Sequence, residues 1–312
     1  MNGSQKSRRN KFSLALVPLL LFVVLAILFS LDVIAKLQVN KYEILPSPLE
    51  YSVKEYPALD INSFPSLSAK GVTVMDRNSK VVIFSKNPDL RFAPASTTKI
   101  MTALVGIDYY KEDDILLVNK DSQRDDVVDF KRGERVRFVD MLYAMMLPSS
   151  NDAASVIADN YPGGEKAFVE KMNEKAYFLS LKNTHYEEPV GLLDTKNYTS
   201  TRDLALLASN AMGNELFARV VGTRDKLIED ADKTNLHVLR NLNRLLDLGG
   251  INGIKTGYTE EAGQILVTSK TLESSQGPQS LILVVMQSED RFYDTEVLLR
   301  SLEKINYLSI HP

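Results

Sequence analysis

β-rich runs stand at both ends of one stretch of this sequence and helical spacing fills the middle, an order that few folds satisfy. Residues 72–75 and 81–85 flank the polar turn Asp76-Arg77-Asn78-Ser79-Lys80 and read as a hairpin. After Pro94 and Ser96, the residues Ile100, Ala103, Leu104 and Ile107 recur at helical spacing. Val139, Leu142, Met145 and Met146 mark a second helix that must stop near Pro148, and a third begins at Asn151 with Ser149 or Ser150 as its cap. Helical patterns continue over 166–179, 201–212 and 236–246, β character returns at 263–268 and 281–286, and a last helix is expected from about Tyr293 to Leu308. The expectation is an α+β fold in which one antiparallel sheet draws strands from both ends of the domain. No internal repeat is visible.

Ahead of this domain lies an almost unbroken apolar run, 12–31. About 20 helical residues at roughly 1.5 Å each span the roughly 30 Å hydrocarbon layer of a bilayer. Lys6, Arg8, Arg9 and Lys11 precede the run, so the positive-inside rule puts 1–11 in the cytoplasm and everything after residue 31 outside the cell membrane. A cleaved signal peptide is the competing reading, but its apolar core usually runs only about 7 to 15 residues. Residues 32–65 carry Pro46, Pro48, Pro57 and Pro65 without a sustained period and read as an extended stalk, the alternative being a strand or two packed on the domain. The expected map is a basic segment 1–11, an anchor 12–31, a stalk 32–65 and a catalytic domain 66–312.

Composition narrows the chemistry. A net charge of −3 gives no reason to expect nucleic acid as a partner. The chain has no cysteine, which excludes disulfides and thiolate catalysis. Its 3 histidines, His185, His237 and His311, form no close pair of the kind zinc hydrolases use, so neither a metal nor another cofactor is expected.

Ser96-Thr97-Thr98-Lys99 puts a hydroxyl and an amine three residues apart on one face of a helical turn. A serine becomes nucleophilic when a base takes its proton, and a lysine can serve if it is held neutral. The spacing alone is weak, since Ser301-Leu302-Glu303-Lys304 repeats it on what reads as an exposed helix face. Ser96 differs in standing just after Pro94 at a helix start, where backbone N–H groups point outward. Ser149-Ser150-Asn151 supplies a second hydroxyl and an amide, or a plain helix cap. Lys255-Thr256-Gly257 sets a cation, a hydroxyl and a glycine that permits close backbone approach along a strand edge, or is a surface turn.

Together and in this order, S-x-x-K, S-x-N and K-T-G mark the penicillin-recognising serine enzymes. The chain resembles the low-molecular-weight penicillin-binding proteins of the D-alanyl-D-alanine carboxypeptidase type. The segments APASTTKIMTA at 93–103, LPSSNDAA at 147–154, FVEKMN at 168–173, STRDLA at 200–205, NLNRLL at 241–246 and GIKTGYTEEAG at 253–263 carry the resemblance, over roughly 66–308. It implies a β-lactamase/transpeptidase-like fold, and a substrate that is a peptidoglycan stem peptide ending in D-Ala-D-Ala, with β-lactams as inhibitors. By the same resemblance, Ser96 would attack the penultimate D-Ala carbonyl, Lys99 would accept its proton and Ser149 would pass a proton to the departing D-Ala. Asn151 would bind the substrate backbone, and Lys255 and Thr256 its carboxylate, with Arg291, where the family often has an arginine near this site, as a second anchor. The backbone N–H groups of Ser96 and Tyr258 would form the oxyanion hole. Burial and the nearby charge of Lys255 should both lower the proton affinity of Lys99.

Two departures stand out. Ser150 occupies a place where the family usually has glycine, and Glu187-Glu188-Pro189-Val190 stands where an Asn-Pro-His-like stretch is more usual. The rival functions are a D,D-endopeptidase using the same nucleophile and an idle penicillin-binding sensor or scaffold. A class A β-lactamase would need a deacylating glutamate in an E-x-x-L-N-type loop, and none lies between Ser149 and Lys255.

Overall fold

A computed structural model describes residues 55–58, 66–122, 126–194, 196–274, 277–302 and 305–309. The basic segment, the anchor and most of the expected stalk lie outside the described residues. In chain order the elements are β1 (Glu55–Ala58), β2 (Gly71–Asp76), β3 (Val82–Lys86), α1 (Lys99–Tyr109), β4 (Ile115–Leu117), β5 (Arg135–Arg137), α2 (Phe138–Met146), α3 (Asn151–Asp159) and α4 (Gly164–Phe178). They continue with α5 (Thr201–Ala211), α6 (Glu215–Val221), β6 (Asp225–Glu229), β7 (Leu236–Arg240), β8 (Ile251–Thr259), β9 (Gly263–Ser274), β10 (Gly277–Ser288), α7 (Arg291–Leu302) and β11 (Asn306–Ser309).

The main sheet has five strands in the order β3-β2-β10-β9-β8, all antiparallel, so strands from both ends of the domain meet at its centre as expected. Asp76 closes the first hairpin by accepting hydrogen bonds from Asn78 N and Ser79 N. The apolar run at 281–286 is unbroken because β10 is buried on both faces. Ile282, Val284 and Met286 join the large helical core, whereas Leu281, Leu283 and Val285 join a smaller core with Leu298 and Leu302 of α7. Helix α2 is buried all round, as is α1 from Lys99 to Gly106, so Lys99 sits deep in the domain.

Two expectations fail. The helical pattern at 236–246 belongs to β7, which pairs with β6, followed by turns; within β7, Leu236 and Val238 are exposed and Leu239 enters the core. An apolar residue at every third position fits a helix, but cross-strand pairing of Leu227 with Val238 and an ion pair from Arg240 to Asp225 make the strand. The last helix ends at Leu302, and Asn306–Ser309 runs instead as β11 against β1. Residues 55–58, expected within the stalk, therefore form a strand packed on the domain. Among the described residues no helix is long and apolar enough to cross a membrane.

Candidate active site

Ser96 lies in a 3-10 turn, Ala95–Thr98, that runs directly into α1. Ala95 holds φ of 46°, a left-handed conformation that costs an alanine energy and persists because the surroundings fix it. Lys99 follows one turn later and is 0% exposed. Its Nζ is 3.2 Å from Ser96 Oγ, 2.7 Å from Asn151 Oδ1 and 2.9 Å from the carbonyl oxygen of Val190. A neutral amine has two N–H bonds and one lone pair. The amide and carbonyl oxygens can accept only the N–H bonds, so the lone pair falls to the Ser96 hydroxyl. That is the arrangement a general base requires.

Electrostatics match the geometry. Burial pushes the Lys99 pKa down to about 7, against the opposing pull of the Glu188 and Asp126 carboxylates. Lys255, expected to add to this lowering, is itself affected in the same direction. Burial, then the charges of Lys99 and Arg291, hold its pKa well below the ordinary lysine value.

Ser149 has φ of 72°, and its Oγ is buried without a hydrogen-bond partner among the described residues. Ser150 is the cap of α3, accepting from Ala153 N at 3.1 Å. The departure from glycine thus stabilises the helix start. A further carboxylate that sequence reading missed, Asp126, accepts from Asn151 N and Asp152 N at 2.7 and 2.9 Å, so the first turn of α3 is held from a distant loop.

The second departure packs directly behind Lys99. Glu188 is buried, and its carboxylate accepts from Val190 N, Gly191 N and Leu192 N at 2.6, 2.7 and 2.8 Å. Thr102 donates to the Pro189 carbonyl at 2.6 Å, tying the same turn to α1. Gly191 has φ of 96°, and a Cβ there would fall 1.9 Å from the Ala95 carbonyl oxygen. Only glycine fits. An unusual acidic residue before a proline was the one sequence signal available for this turn.

K-T-G lies on β8, an edge strand of the sheet, which leaves one row of backbone groups unpaired by the sheet. A Cβ on Gly257 would stand 3.4 Å from Ala95 Cβ and from the Pro94 carbonyl oxygen, so the strand runs close beside the Ser96 turn. Lys255 is 2% exposed, and its Nζ has no hydrogen-bond partner among the described residues; Thr256 is buried beside it and Tyr258 is 62% exposed. Arg291, at the start of α7, donates from Nη1 to the Gly257 carbonyl at 2.8 Å. Burial and then the charge of Arg244 lower its proton affinity, with Asp290 opposing. Two basic side chains thus crowd one edge strand with no ion pair to either among the described residues, and the structure brings the S-x-x-K, S-x-N and K-T-G segments into one region.

Comparison with known proteins agrees with this layout. A family profile described as D-alanyl-D-alanine carboxypeptidase matches residues 59–290. The carboxypeptidase DacF of Bacillus subtilis is 36% identical over 210 residues, 64% of this chain and 54% of that protein, so the chain spans about half of this relative's length. A D-alanyl-D-alanine endopeptidase of Pseudomonas aeruginosa is 35% identical, covering 76% of this chain and 78% of its own. The crystal structure of the Streptomyces K15 DD-transpeptidase superposes with a TM-score of 0.69 at 30% identity, over 77% of this chain and 98% of that one. The chain belongs to the D-alanyl-D-alanine carboxypeptidase family.

Proposed function

We propose that this protein is a serine-type D-Ala-D-Ala carboxypeptidase, which removes the terminal D-alanine of peptidoglycan stem peptides and is acylated by penicillin at the same serine. The observation that carries the reading is Lys99, buried, with a pKa of about 7 and its two N–H bonds matched to Asn151 and Val190. Ser96 Oγ attacks the penultimate D-Ala carbonyl as its proton passes to Lys99 Nζ, and the developing oxyanion takes the backbone N–H groups of Ser96 and Tyr258. The C–N bond then breaks, with Ser149 relaying the proton to the leaving amine. Water cleaves the Ser96 ester and restores the enzyme. The substrate peptide lies along the free edge of β8 with its carboxylate against Lys255, Thr256 and Arg291, and the Asn151 amide nitrogen faces its backbone. A carboxylate there gives the buried Lys255 Nζ the partner it lacks among the described residues and gives the half-buried Arg291 a counter-charge.

A β-lactam presents the same amide and carboxylate, but its leaving group stays tethered and blocks water. Penicillin should therefore label the protein far longer than peptide does. Mass spectrometry after brief exposure should find the adduct on the tryptic peptide containing Ser96, and Ser96→Ala should lose both adduct and D-Ala release. An adduct on Ser149 instead, or undiminished D-Ala release by that variant, overturns the assignment. A D-Ala-D-Ala pentapeptide and a cross-linked muropeptide, run in parallel, separate carboxypeptidase from endopeptidase action.

The domain works outside the cytoplasm, held at the cell membrane by residues 12–31. Support comes from the length of that apolar run and the basic residues before it. Protease added to intact spheroplasts should degrade the domain, and mature protein should keep its N-terminus; a chain beginning near Lys36 would remove the anchor.

A further inference from the structure

The turn that sets the Val190 carbonyl on Lys99 hangs on one side chain. Oε2 of Glu188 accepts from Val190 N, and Oε1 accepts from Gly191 N, Leu192 N and the side-chain amide of Asn197. A carboxylate has acceptors enough for this ring of donors, whereas a glutamine or asparagine would turn an N–H₂ group toward one of them. The Val190 carbonyl, two residues on, receives Lys99 Nζ at 2.9 Å. Asn197 also accepts from Glu187 N at 2.7 Å, so the ring closes on itself and fixes the carboxylate. We propose that Glu188 is a positioning residue for Lys99, fixing the Val190 carbonyl on the amine and keeping a buried negative charge behind it. This rests on the acylation mechanism given above.

The charge has a direction of effect. Burial favours the neutral amine and so lowers its affinity for a proton, whereas a base works best when its pKa lies near the working pH. Glu188 is the largest of the influences that oppose burial, followed by Asp126 from the connection between β4 and β5. Lys255 on β8 is the cation on the other side of the site, and Glu165 in the first turn of α4 is the acidic neighbour of Glu188. With Glu188 in place the amine titrates near neutrality, able both to take the Ser96 proton and to give it up.

Second-order acylation by a fluorescent penicillin, followed from pH 5 to 9, tests the proposal in the wild type, Glu188→Gln and Glu188→Asn. Melting curves run alongside identify any variant that loses the fold, and the two amides of different length give independent readings. The expected result is a midpoint shifted toward acid by about half a pH unit or more, with a plateau lower by about tenfold. A midpoint that stays put or moves toward alkali in a folded variant overturns the proposal, even if the plateau falls, since a simple brace would lower the rate at every pH. An unlabelled wild type sinks the functional reading itself, and this inference with it.

Discussion

Lys99 Nζ is closer to Asn151 Oδ1, at 2.7 Å, than to Ser96 Oγ, at 3.2 Å. The short contact orients the amine and the longer one leaves room for the proton to move. Replacing the amide by a carboxylate, Asn151→Asp, keeps the shape and adds a charge that favours the ammonium. The pKa of Lys99 should rise from about 7, the acylation limb should move to higher pH, and the rate at pH 7 should fall about tenfold or more and recover on alkalinisation. Lys99→Arg stays protonated and should recover at no accessible pH. Stopped-flow acylation across pH separates the two.

The adjacent serines should behave in opposite ways. Ser150→Ala removes the hydrogen bond to Ala153 N and should cost about 1 kcal/mol of stability, read as a lower Tm, with acylation largely kept. Ser149→Ala removes a buried hydroxyl that has no hydrogen-bond partner among the described residues. It should leave Tm unchanged or higher while lowering D-Ala release by about a hundredfold.

Gly191→Ala places a methyl group where the Ala95 carbonyl already stands, on a backbone with φ of 96°. Either the turn behind Lys99 or the Ser96 turn must shift. A loss of about 3 kcal/mol or more, with acylation falling further than stability requires, is expected from parallel melting and labelling.

Lys255→Met should separate binding from stability. The lysine is buried, without a hydrogen-bond partner among the described residues, and its pKa is depressed well below the ordinary value. Below that ordinary value the unfolded chain binds a proton that the folded chain resists, so this group's contribution to stability rises with pH until about 10.4 and falls as the medium is acidified. Methionine removes the penalty and should raise stability by about 1 kcal/mol at pH 7, the gain shrinking toward pH 10, while peptide turnover is lost. Chemical denaturation at several pH values checks the sign.

Where bonds are local, the sequence by itself was sufficient. Ser96 and Lys99 face each other because three residues make nearly one turn, and a helix start at Asn151 was legible, although it took the structure to choose Ser150 over Ser149 as its cap. The apolar runs at 72–75 and 281–286 announced strands because they are buried in one sheet, though their pairing spans the whole domain. Tertiary structure decided the rest. Residues 236–240 carry spacing compatible with either state, and the facing strand 225–229 made them β. The end of the expected last helix became a strand because Glu55–Ala58 offered a partner. Glu188 read only as a departure in a turn, since nothing local links it to Lys99. The carbonyl it positions meets that lysine across 91 residues of chain, a contact made by packing α1 against the turn, and no spacing rule reaches so far.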